Sequence, residues 1–116
     1  MQRKPAIAVH GGAGTWQPER SQAGLEGVKK AAKKGFEILK NDGSALDSVM
    51  EAVAVLEDEG AFNAGYGSTL TIEKGIEMEA SIMDGKTLQA GAVGLLKDIK
   101  NPVRLARIVM ESVRGW

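Results

Sequence analysis

Nine of the fifteen glycines in this 116-residue chain sit in three clusters beside apolar runs: Gly11, Gly12 and Gly14; Gly60, Gly65 and Gly67; Gly85, Gly91 and Gly94. Glycine is present at about twice its usual ~7% share, and this placement predicts tight loops on a sheet rather than a flexible linker. The middle cluster is the most constraining. In Phe62-Asn63-Ala64-Gly65-Tyr66-Gly67-Ser68 one amide side chain stands among small residues. Gly65 and Gly67 permit backbone conformations that a Cβ forbids, and Asn63 offers a carbonyl and an NH2 together. Such a loop is suited to holding backbone groups, or one amide, at a fixed place.

The rest of the composition narrows the function classes. A chain of this length is expected to form one domain. Fifteen Lys and Arg balance fifteen Asp and Glu, so no net field recruits nucleic acid or an anionic membrane. With no cysteine, a disulfide framework, a thiolate metal site and a cysteine nucleophile are excluded. A single histidine, His10, does not build a zinc site of the usual kind. No apolar run reaches membrane-spanning length, and the apolar stretch after Pro5 is too short for a signal peptide, so a cytoplasmic location is the default expectation.

Along the chain the pattern predicts the order β-α-α-β-β-α, an α/β (α+β) fold. Ala6-Ile7-Ala8-Val9 reads as a strand buried on both faces, closed by His10-Gly11-Gly12. From about Ser21 to Asn41, Leu25, Val28, Ala32, Phe36 and Leu39 recur at helical spacing. Lys29, Lys30, Lys33 and Lys34 fall mainly on the opposite, solvated side, partly paired with Glu26 and Glu37. Asn41-Asp42-Gly43 ends that helix, and Ser44 with Asp47 resembles a capping box opening a second, largely apolar helix to about Asp58. Gly75 to Met83 alternates, Asp84-Gly85 signals a hairpin turn, and Thr87 to Leu96 is the return strand. Asn101-Pro102 is expected to cap a last helix whose Val103, Ala106, Val109 and Met110 share one side.

Three groups carry candidate chemistry. The backbone N–H groups of His10-Gly11-Gly12-Ala13-Gly14 suit an anion or oxyanion, although a tight strand exit explains the same residues. The spacing is neither a dinucleotide fingerprint nor a P-loop, and no G-x-S-x-G elbow accompanies it. His10 lacks a partner serine or cysteine, and is expected to be a partly buried residue that positions the loop. Glu57-Asp58-Glu59 matches no calcium loop and reads as a solvated acidic helix end. The turn from Leu56 to Tyr66 can also curl its carbonyls around a monovalent cation. Asp47 and Glu51 lie one helical turn apart, but the helix dipole accounts for Asp47 as well as a carboxylate pair does.

Five stretches in order are similar to the plant-type asparaginase / isoaspartyl peptidase family of N-terminal-nucleophile hydrolases. They are Ile7 to Gly14, Gly43-Ser44-Ala45-Leu46-Asp47-Ser48-Val49, Phe62 to Ser68, Met83-Asp84-Gly85, and Gly91-Ala92-Val93-Gly94 through Lys100-Asn101-Pro102. Glycosylasparaginases resemble only the second and fourth. The resemblance implies an αββα sandwich of which residues 1–116 are a single partial domain, the N-terminal part of an α subunit. It implies a self-cleaving precursor whose new N-terminal threonine attacks the side-chain amide of asparagine, or the isopeptide carbonyl of a β-aspartyl dipeptide. It assigns Asn63 to positioning that nucleophile, and Gly11 and Gly12 to the glycine loop beside the active site. It also implies a structural sodium, held by the carbonyls of Leu56, Glu57, Glu59, Phe62, Ala64 and Tyr66, and no other cofactor.

The family's nucleophile belongs to a Gly-Thr-Val/Ile-Gly stretch, and the one Gly-Thr pair here, Gly14-Thr15, is followed by Trp16. Residues 1–116 are therefore expected to be inactive alone and to require a complementary C-terminal (β) subunit. The alternative is an inactive fold fragment that serves as an association module, through self-association or another partner. A phosphate-binding role for His10 to Gly14 is the weakest reading. The closing Ser112-Val113-Arg114-Gly115-Trp116 matches no family motif.

Overall fold

A computed structural model describes residues 4–112; Val113 to Trp116 of the closing segment lie outside them. Three helices and one hairpin follow in the order α1 (Pro18–Lys40), α2 (Ala45–Asp58), a 3-10 turn (Gly65–Gly67), β1 (Met78–Met83), β2 (Ala90–Leu96) and α3 (Pro102–Ser112). The expected mixture of helix and sheet is present, with one change at the start. Ala6 to Val9 does not form a strand. The described sheet has only two strands, β1 and β2, and a strand without a neighbour has nowhere to place its backbone donors and acceptors.

Helix α1 begins three residues before Ser21, because Pro18 occupies its first turn, where a missing N–H costs nothing. It ends as expected: Asn41 bonds back to Glu37 through backbone and side chain, and Gly43 N–H reaches Ile38 O at 2.8 Å. The buried face is displaced from the expected one. Gly24, Gly27, Ala31 and Gly35 are buried, while Leu25 and Phe36 are exposed. The inward stripe lies one residue before the apolar stripe, about 100° around the helix. Large groups from elsewhere in the chain take the space that side chains on α1 would have filled. A Cβ on Gly24 would lie 2.6 Å from the Trp16 ring, and one on Gly27 would lie 2.7 Å from the Phe62 ring. Gly35 receives Ile7, and its carbonyl accepts the buried Ser48 hydroxyl at 2.7 Å. The solvated lysine face is as expected, but Lys30 pairs with Glu59 rather than with Glu26 or Glu37.

Ser44 caps α2 as the sequence predicts, its hydroxyl accepting Asp47 N–H at 3.0 Å. The hairpin is antiparallel, with Met83 opposite Ala90 and Ala80 opposite Val93. Its connection is longer than the expected two-residue turn. Residues 84–89 form a loop in which the Asp84 carboxylate accepts Lys86 N–H and the Thr87 hydroxyl. An irregularity between the Met78 and Ala80 pairs sets Gly94 and Leu95 opposite Glu79 alone, with Leu95 in the left-handed region. Helix α3 lies across the hairpin and buries Ile82, Ala106 and Met110 together. At Gly91 a Cβ would sit 2.6 Å from Met110 N, so glycine is what permits this approach of strand to helix. Val103, Ala106 and Met110 are buried and Val109 half-buried, the predicted inward side of α3. No helix among the described residues is long and apolar enough to cross a membrane.

Candidate functional site

The glycine loop and the Asn63 turn meet. A groove of about 230 Å³ is lined by Gly11, Gly12, Gly14 and Thr15 on one side, and by Phe62, Asn63 and Thr69 on the other. Phe62 is the wedge that sets this distance. Its ring is buried between Gly27 of α1 and Gly11, where an added Cβ would lie 2.8 Å from the ring. Trp16 closes the end, edge-on to Phe62 at 5.8 Å between centroids, with its indole N–H donating to Gly12 O at 3.3 Å. Gly12 itself has a φ of +119°, a conformation open to glycine.

Asn63 Oδ1 accepts the Thr69 backbone N–H at 2.9 Å and the Thr69 hydroxyl at 3.2 Å. A backbone N–H can only donate, so this contact fixes which end of the amide is oxygen. The NH2 end has no hydrogen-bond partner among the described residues, and Asn63 is exposed. It borders the groove as a preoriented donor. It also borders a second cleft of about 380 Å³, between the 63–69 loop and Glu77 to Ser81 along the open edge of β1. His10 is exposed and borders neither cleft. The expected partial burial fails because no strand forms around it, and among the described residues it makes no hydrogen bond that could position the loop.

Of the three acids at the end of α2, two converge on the Asn101 amide and the third turns to Lys30, and among the described residues they form no group that could hold a metal ion. Glu59 meets Lys30 at 2.6 Å, and the Asp58 carboxylate accepts the Asn101 amide at 2.9 Å. Glu57 is buried, contrary to the expected solvated helix end. Its carboxylate accepts Val103 N–H at 3.1 Å and the Asn101 amide at 3.3 Å. It thereby does for α3 what Asn101 was expected to do. Asn101 has a φ of +57° and its NH2 donates toward α2, while its side-chain oxygen accepts no helix N–H among the described residues. Burial raises the Glu57 carboxyl above the ordinary range, opposed by these two donors. Sequence reasoning missed this contact because residues 57 and 103 lie on separate helices.

Farther along α2 the other two acids also find partners on α3. Glu51 takes Arg104 in a two-point contact at 2.7 and 3.1 Å. Asp47 takes Arg107, which also bonds Glu111. The hydrogen bond from each arginine is the main cause holding the Asp47 and Glu51 carboxyls below the usual range.

The main chain between α2 and the 3-10 turn folds inward. A Cβ on Gly65 would lie 2.6 Å from Glu57 O, and one on Gly67 would lie 2.6 Å from Gly60 O and also meet Phe62 O. Ala64 O accepts Gly67 N–H at 3.0 Å. Of the six carbonyl positions expected for a sodium site, the Glu57 oxygen lies beside Gly65, and the Phe62 oxygen lies beside Gly67 and accepts Ala64 N–H at 2.8 Å. The Glu57 side chain is committed elsewhere, to Val103 N–H and the Asn101 amide.

The chain matches the family described as Asparaginase over residues 3–115. It belongs to the asparaginase family. It is 51% identical over 110 residues to an isoaspartyl peptidase/L-asparaginase of Danio rerio, covering 95% of this chain and 36% of that protein. The corresponding protein of Xenopus laevis is 55% identical, covering 94% of this chain and 35% of the relative. A plant-type L-asparaginase of Pyrococcus abyssi is 57% identical over 108 residues, with 92% and 35% covered. The chain thus spans about a third of the length of the curated relatives it matches.

Proposed function

We propose that this chain supplies one wall of the active site of an asparaginase that also cleaves β-aspartyl dipeptides. The observation that carries this reading is the meeting of the Asn63 amide with the Gly11–Gly14 loop across one small groove. The nucleophile is the N-terminal threonine of a complementary β subunit, freed by self-cleavage and corresponding to a part of the relatives outside the matched stretch. Its hydroxyl attacks the side-chain carbonyl of asparagine, ammonia leaves, and water releases aspartate from the acyl-enzyme. Asn63, with its oxygen occupied by Thr69, presents its NH2 to position the hydroxyl and to stabilise developing negative charge. Gly12 keeps that side of the groove free of a side chain, and Gly11 admits the Phe62 ring.

The complementary subunit docks along the open edge of β1 and completes the two-sheet sandwich; the cleft between that edge and residues 63–69 supports this. A sodium ion would be held by backbone oxygens of the 56–66 turn, with Glu57 and Phe62 the best placed, and would stiffen the turn that carries Asn63. The cytoplasm is the proposed location.

The test fuses this chain to the C-terminal remainder of the Pyrococcus abyssi relative. The fusion is expected to release ammonia from asparagine and aspartate from β-aspartylalanine, and the 116-residue chain alone to release neither. Replacing Asn63 by Ala should lower kcat about 100-fold. Ammonia release by the chain alone, or a folded fusion inert to both substrates, would overturn the reading. A second reading, self-association of an inactive module, is favoured by the exposure of Leu70, Ile72, Leu88 and Leu95. A single monomeric species in sedimentation at high concentration would remove it.

A further inference from the structure

The groove has one charged side chain on its lining, Arg20 of the first turn of α1, and no carboxylate. Arg20 reaches across from α1 and donates from one guanidinium nitrogen to Ala61 O at 3.2 Å, two residues before Asn63. That bond uses one of five N–H donors and anchors the group on the same side of the groove as Asn63. The remaining donors have no partner among the described residues, and Arg20 makes no ion pair there. A tethered guanidinium with free donors, in a groove without an opposing acid, is suited to a two-point contact with a carboxylate. The rest of the groove wall is uncharged, with Thr15 and Gln17 polar and Trp16 and Phe62 aromatic, and a volume of about 230 Å³ accepts a single amino-acid residue.

Resting on the hydrolase reading above, the geometry points to Arg20 as a specificity-determining residue that binds the α-carboxylate of the departing amino acid in a β-aspartyl dipeptide. The two substrate types differ at this point. Cleavage of a β-aspartyl dipeptide releases an amino acid that carries its own free carboxylate. Hydrolysis of asparagine releases ammonia, which offers Arg20 nothing to hold. Arg20 therefore favours peptides over the free amide, without taking part in bond cleavage.

Two measurements test this. In the fused enzyme, Arg20→Ala should raise KM for β-aspartylalanine roughly 10- to 100-fold, the size expected for losing charge-assisted hydrogen bonds. Its effect on asparagine hydrolysis should stay within about twofold, and Arg20→Lys should fall between. Capping the substrate as β-aspartylalaninamide should abolish the difference between the parent fusion and its Arg20→Ala variant. Equal losses on all three substrates would mean that Arg20 acts only by holding Ala61, and would overturn the proposal. The second measurement titrates N-acetyl-L-alanine, a mimic of the leaving residue, into the full 116-residue chain followed by amide NMR. Saturable shifts at Thr15, Gln17 and Asn63 that disappear in Arg20→Ala are expected. If the fusion is inert while these shifts persist, the hydrolase reading falls and the carboxylate site stands. Identical spectra for the parent chain and the Arg20→Ala variant overturn the site whatever the fusion does.

Discussion

The groove half of the molecule and the hairpin half are held together in opposite ways. Around the groove, the bulky groups Trp16, Phe62 and Ile7 press onto glycines of α1, so the contacts are close and specific to one arrangement. In the hairpin half, one sheet face packs on α3 through Ile82, Ala106 and Met110, while Ile72 and Leu88 in the loops and Leu95 in β2 are exposed. That half meets the helical half through Leu46 and Met50 of α2, packed on the same core, and through the α2 carboxylates Glu57, Glu51 and Asp47. The groove wall is thus shaped by the chain's own packing, whereas the hairpin side leaves apolar surface for another layer.

Removing the wedge tests the groove half most severely. Phe62→Ala is expected to cost about 3–5 kcal/mol by chemical denaturation, since a buried ring is lost and α1 has only glycine there to refill the space. Ile72→Ser, on the hairpin side, should change stability by no more than about 0.5 kcal/mol, because Ile72 is fully exposed. Comparable losses from the two would break the contrast.

The attachment between the halves comes next in size. Glu57→Ala leaves Val103 N–H without its buried acceptor, while the Asn101 amide keeps Asp58, and should cost about 1–3 kcal/mol. Hydrogen exchange should rise first at the N-terminus of α3, while α1 stays protected. Uniform acceleration across all helices would mean that the halves do not open separately.

The smallest effect concerns pH. Asp47 and Glu51 have carboxyl pKa values depressed chiefly by hydrogen bonds from Arg107 and Arg104. Their contribution is therefore complete above the ordinary carboxylate range near ~4 and is lost as pH falls through the depressed values. Both pairs are partly solvated, so about 1 kcal/mol in total is expected. Denaturation at about pH 7 and about pH 3 should show that an Asp47→Asn, Glu51→Gln variant loses correspondingly less stability on acidification than the parent. Equal acid sensitivity would remove these pairs from the attachment.

Much of the architecture is legible in the sequence where the signal is local. Ser44 caps its helix, Gly43 ends the one before it, and Val103, Ala106 and Met110 turn inward, because capping and periodicity act within a few residues. Asn63 is legible as a candidate from its glycine setting, but its fixed orientation depends on Thr69 folding back onto it. Arg20 passes unnoticed because nothing near it in the chain signals that it will lie against Ala61.

The family, three helices, a hairpin and two glycine-rich segments with one candidate amide can all be read from the order of residues. Three features had to wait for packing: which face of α1 turns inward, that Glu57 rather than Asn101 caps α3, and that Ala6 to Val9 stays out of the sheet. A common physical cause lies behind all three. Burial of a glycine face, satisfaction of a helix end from a distant carboxylate and strand pairing each depend on a partner far along the chain or outside it. Periodicity and capping rules read only near neighbours. The loop at Phe62 shows both sides: its glycines are visible in the sequence, but the ring that holds the groove open had to find Gly27 and Gly11 in space.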